Sequence, residues 1–213
     1  MIEKAVRLLM MGALMVLAVP GQAAVETVAD LQSEWAHITY ETDAKSRAAA
    51  LEALGEAARR LSDEHPEDAG LLIWQGIILS SYAGEAGGLG ALGAAKRARA
   101  ALEKSLELDE TALDGSAYTS LGTLYYKVPG WPVGFGNDKK AREFLQRALS
   151  INPDGIDPNY FMGEFLFEEG DYAASVTHLR RALVAPGRAG RELADSGRRQ
   201  EIQRLLEQVT QKL

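Results

Sequence analysis

The 213-residue sequence contains no cysteine. That excludes a disulfide framework, thiolate metal ligands and lipid attachment through a cysteine. Histidine is almost as scarce. His37, His65 and His178 are the three present, far apart and each without a second ligand at metal-binding spacing, so no metal site is expected. Val, Ile and Thr alternate nowhere for long, which argues against a strand series. The longest strongly apolar run, LLMMGALMVLAV, has twelve residues without a charge, short of the roughly 20 needed to cross a bilayer as a helix. Positive charge is also in deficit. The formal net charge is −7, which disfavours non-specific binding to nucleic acid or to an anionic membrane.

That apolar run sits in a three-part pattern. MIEKAVR supplies Lys4 and Arg7, and Gly21 and Ala23 stand at the −3 and −1 positions of a cut after Ala23. Residues 1–23 therefore read as a cleavable secretory signal peptide. Their removal leaves 21 basic and 29 acidic residues. A periplasmic location and no stable membrane insertion of the mature chain are expected.

What fills the rest is helical text: Ala, Leu, Glu, Arg and Lys in amphipathic windows. A repeat runs through it. Tyr118, Leu121-Gly122 and Tyr125 are spaced Y-x2-L-G-x2-Y, followed by Ala141, Leu145, Ala148 and Pro153. Met162-Gly163 and Leu166 lead to Gly170-Asp171-Tyr172, Ser175, Leu179, Ala182 and Pro186. Upstream, Leu72, Gln75-Gly76 and Leu79 precede Ala98, Leu102 and Ser105. The last copy has twelve residues from Gly163 to Ser175, whereas nineteen separate Gly122 from Ala141 and twenty-two separate Gly76 from Ala98. Two insertions thus fall between the paired helices. The first, AGEAGGLGALG, reads as small and flexible. The second, VPGWPVGFGN at 128–137, is stiffened by Pro129 and Pro132 and carries Trp131 and Phe135. Packing on the edge of the array is expected of both aromatics, and bordering of a ligand groove is a further role open to the loop.

The pattern resembles the tetratricopeptide (TPR) repeat over residues 69–186. The resemblance implies an all-α, right-handed superhelical solenoid. Residues 24–66 form a degenerate helical pair. The three repeats span 69–110, 115–153 and 156–187, and a capping helix spans 189–213. Asp157-Pro158 reads as a helix start, with the carboxylate as N-cap. The TPR family's groove positions fall on Ile73, Ile77 and Ser80 in the first repeat. In the second they fall on Thr123, Tyr126 and Lys127, and in the third on Tyr160, Glu164, Phe167 and Glu168. Equally open is that other helices cover these side chains and make them core.

Residues 128–172 also resemble exported bacterial TPR proteins, and in layout the chain is similar to the T-component proteins of TRAP-type transporters. That similarity implies a partnership with a periplasmic solute-binding protein or envelope complex. The missing lipoprotein cysteine departs from it. No nucleophile elbow, phosphate loop or EF-hand order of ligands is present, so neither catalysis nor a cofactor is expected. Two functions follow. One is a non-enzymatic scaffold binding a protein or peptide on its concave face. The other is a small-molecule or transport accessory with a pocket roofed by the two insertions.

Overall fold

A computed structural model describes residues 25–213. The expected signal peptide, residues 1–23, lies outside the described residues. Those described are helical, with short connections. In chain order the helices are α1 (Val28–Glu41), α2 (Ala44–Glu64), α3 (Ala69–Ala86), α4 (Gly88–Leu108) and α5 (Ala112–Lys127). They continue as α6 (Asp138–Ile151), α7 (Ile156–Glu168), α8 (Tyr172–Leu183) and α9 (Glu192–Thr210).

Local chemistry starts several of them. Thr27 and Asp30 form a reciprocal capping box on α1. Asp43, Asp68, Asn137 and Asp171 each accept a backbone N–H at the start of α2, α3, α6 and α8, satisfying donors that the first turn leaves unpaired. Asp157 does not cap α7. Gly155 holds the N-cap position, and the Asp157 carboxylate turns to two arginines instead. Within α5, Leu113, Asp114 and Gly115 have φ of 49°, 56° and 73°, so its regular turns begin after Gly115.

Three helix pairs cross in the same way. A Cβ added at Gly76 would lie 2.5 Å from Leu102 Cγ, and at Gly122 or Gly163 it would lie 2.7 Å from Leu145 or Leu179 Cγ. The leucine of the second helix therefore occupies the space where the first helix has no side chain. All three leucines are fully buried, each contributing about 1.5–3 kcal/mol through burial. Successive pairs stack on one another, so α5 contacts α3 and α7 as well as its own partner.

The first insertion is not a loose loop. α3 and α4 both run on through it, broken at Gly87 with φ 63°. Glycine-rich text is helical there because each helix extends a packed neighbour, which outweighs a weak local propensity. The second insertion is folded back on itself. Gly136 N–H donates to Pro129 O at 3.0 Å and Asn137 N–H to Tyr125 O at 2.7 Å. Phe135 meets Tyr125 edge-on at 5.5 Å and lies under the Arg99 guanidinium at 4.4 Å. Trp131 does not pack as expected: it is 89% exposed.

The core has three parts. One lies among α1, α2 and α3, one among α3 to α7, and one among α7, α8 and α9. α9 belongs to two of them. Ile202, Leu205 and Val209 pack with α7 and α8, while Leu193 and Ala194 join the α1–α3 core. Gly197 fits against the Tyr40 ring with no room for a side chain. The last helix therefore crosses the inner face and ties the two ends of the array together.

Candidate functional site

Under α9 lies a cavity of about 320 Å³. Its apolar wall is Trp35, Leu51, Trp74, Ile77 and Phe161. Trp35 and Trp74 meet edge-on at 5.7 Å, and Trp35 Nε1 donates to Ser81 Oγ at 2.9 Å. The bond satisfies the indole N–H at the cavity edge and holds the ring in place.

A second wall is made of hydroxyls. Ser116, Thr119, Ser120 and Thr123 follow one another at i, i+3, i+4 and i+7 along α5, so one helix face presents them all. Ser80 and Ser81 from α3 add two more. Several of these hydroxyls donate to a carbonyl of their own helix, as Ser80 does to Gly76 O at 2.7 Å and Thr123 to Thr119 O at 2.9 Å. Their oxygens keep lone pairs for a further donor.

The roof is charged. Asp157 on α7 receives Arg188 at 2.6 Å and Arg198 at 2.9 Å. Arg188 also pairs with Asp195, which is 2% exposed, and Arg198 pairs with Glu201 at 2.5 Å. Burial alone pushes the Asp157 pKa up, yet Arg198 and Arg188 together outweigh it and hold the carboxyl at about 2. Burial raises Tyr40 to about 12, so its phenol stays protonated across the physiological range. Arg47 pairs with Glu85 at 2.8 Å on the far side. The side chain of Arg191, at the start of α9, makes no ion pair or hydrogen bond among the described residues. Its guanidinium lies 5.0 Å above the Trp74 ring. Burial, and then Arg188, lower its pKa.

Four buried side-chain polar atoms lack a hydrogen-bond partner among the described residues: Thr39 Oγ1, Arg47 Nε, Arg99 Nε and Arg191 Nε. Three belong to residues that line this cavity. Buried polar groups are normally paired, and a group that is not carries a desolvation penalty.

The sequence-derived positions fall in several environments. Thr123, Ile77 and Ser80 line the cavity, whereas Ile73 is fully buried core. Tyr126, Lys127, Glu164 and Glu168 come together in a second cluster. There the Tyr126 hydroxyl donates to Glu164 at 2.6 Å, and Lys127 bridges Glu164, at 3.1 Å, and Glu168. Burial and then Glu164 push Tyr126 well above the usual phenol range. These four groups satisfy one another. Tyr160 is 8% exposed, with the Arg198 guanidinium 4.4 Å over its ring, and Phe167 packs on Tyr172. Trp131 and Phe135 lie away from the cavity. Of the two insertions, Gly84 and Glu85 border it, and none of the residues 127–138 does.

Sequence reasoning missed Trp35, Trp74, Asp157 and the arginines. Two signals were present. One is the hydroxyl stripe along α5. The other is Arg188, Arg191, Arg198 and Arg199 within twelve residues of an acidic chain. Among the described residues there is no group of acidic or histidine side chains placed to hold a metal ion, and no helix is long and apolar enough to cross a membrane. No protein-family model matches the chain, and no curated protein matches it in sequence.

Proposed function

We propose that this chain is a non-enzymatic binding protein that holds a small organic molecule in the cavity beneath α9. The observation that carries this reading is the position of α9. It lies across the inner face of the array and leaves about 320 Å³, within the size range of small-molecule sites. A partner helix is about 10–12 Å across with its side chains, and α9 already holds the place it would take. Aromatic walls with a few fixed polar groups are also the usual make-up of such sites.

The wider proposal keeps the TPR-like layout, supported by three equivalent glycine–leucine crossings. It keeps export to the periplasm, supported by the signal-peptide pattern of residues 1–23. In that setting the chain serves as an accessory that receives or hands over a small solute. This follows the similarity to TRAP T-component proteins, with α9 rather than the insertions as the roof.

Native mass spectrometry of protein isolated from its own cells tests the reading. A retained small-molecule adduct is expected on the wild type and is lost in Ser120→Trp, which fills the cavity from α5. A folded Ser120→Trp variant that keeps the same adduct overturns the cavity as the site. Peptide or protein capture that depends on Tyr126 and Lys127, with no adduct on either chain, favours the scaffold instead.

A further inference from the structure

We infer that the molecule held in the cavity is a monocarboxylate with an apolar body, and that Arg191 is the residue that pairs with it. This rests on the reading of the cavity as a small-molecule site.

Four arginines line the cavity, and three of them are paired: Arg47 with Glu85, Arg188 with Asp157 and Asp195, and Arg198 with Asp157 and Glu201. Arg191 alone among them has a side chain with no ion pair and no hydrogen bond among the described residues. One face of its guanidinium is covered by Trp74, and the side chain borders the cavity. A guanidinium is suited to a carboxylate through charge-assisted hydrogen bonds. The Arg191 Nε is buried without a hydrogen-bond partner, as is the Arg47 Nε, and such a group carries a desolvation penalty. A carboxylate in the cavity gives this guanidinium the ion-pair partner it lacks.

The rest of the lining decides between anions. Glu85, Asp157 and Glu201 border the same space and repel a doubly charged phosphate more than a single carboxylate. Opposite the charged roof, Trp35, Ile77 and Phe161 offer apolar surface for a hydrocarbon or aromatic body.

Matched probes test the inference: hexanoate, hexanamide and hexylamine, and phenylpropanoate, phenylpropanamide and phenylpropylamine. Binding is read from tryptophan fluorescence in the full-length chain carrying Trp131→Phe, where Trp35 and Trp74 report from the cavity wall. Each acid is expected to bind roughly tenfold or more tightly than its amide, as a charge-assisted hydrogen bond in a desolvated site requires, with the amine weakest. Arg191→Gln brings acid and amide level and leaves the amide unchanged. Equal binding of acid and amide by the wild-type site, or an acid preference that survives Arg191→Gln, overturns the inference while leaving the small-molecule reading intact. Binding of none of the six probes overturns both. If Arg191→Gln does not fold, Arg191→Lys decides. A point charge replaces the fork, the acid preference falls severalfold, and an unchanged preference counts against Arg191.

Discussion

Asp157 shows how one residue reads differently in sequence and in space. Its place before Pro158 suits an N-cap, and nothing nearby in the chain contradicts that. Its partners, Arg188 and Arg198, come from far downstream, and their charges outbid the backbone N–H groups of α7. The side chain is 28% exposed, so the pairing is only partly screened. With an ordinary value of 3.8 and a folded value of about 2, the carboxylate contributes about 2 kcal/mol above pH 4 or so. That contribution is lost as pH falls through the folded value. Asp157→Asn is therefore expected to lower stability by about 2 kcal/mol at neutral pH. Urea unfolding at a series of pH values should show the gap between variant and wild type narrowing toward pH 2. A gap that is constant with pH would mean that the carboxylate does not titrate as a paired group.

At the scale of elements, the glycine crossings give the sharpest contrast. Gly122→Ala places a Cβ against Leu145 and 3.2 Å from the Ala141 carbonyl, and backbone gives less readily than a side-chain tip. A loss of about 1–3 kcal/mol is expected. Gly90→Ala in α4 meets nothing within 4 Å, and it should gain about 0.5–1 kcal/mol through helix propensity and a stiffer unfolded chain. Chemical denaturation of the two variants measures both, and equal effects would remove the close-packing argument. The paired helices were legible in the sequence because the glycine, its leucine and the small residues recur at fixed spacing. The first insertion was not. Its glycines mimic a loop, and only a neighbouring helix to lean on makes them helical. Phe135 was legible as a packing residue, since the prolines and glycines around it demand an anchor. The exposure of Trp131 was not, because composition does not tell which aromatic of a bent loop turns inward.

For the molecule as a whole, the informative element is α9. Its apolar stripe at Ile202, Leu205 and Val209 was readable as a packing face. The contacts of Ala194 and Gly197 with the opposite end were not, because small residues leave no periodic mark of what they touch. For the same reason the cavity's roof, its arginines and the two tryptophans could not be assembled from local patterns. The hydroxyl face of α5 could have been, and it gains meaning only once something faces it. In a simple stacked array each unit touches only its neighbours. Here a charge buried at Ala194, which is 2% exposed, should weaken the first helices as well as the last. Ala194→Glu is expected to raise hydrogen exchange in α1 and α2 as strongly as in α9. Exchange that rises in α9 alone would show that its link to the first helices carries little stability.

The same closure has a kinetic meaning. Contact between α1 and α9 joins segments at opposite ends of the described chain, so forming it carries the largest loop entropy in the fold. The walls contributed by α3 and α5 can assemble beforehand, but the roof cannot. Any molecule that needs Arg191 finds no complete site until this last step. Its binding energy then belongs to the finished state and is absent from the folding barrier. A saturating ligand should slow unfolding in proportion to its affinity and leave the refolding rate where it was. Occupancy would make the closed protein long-lived without making it quick to form.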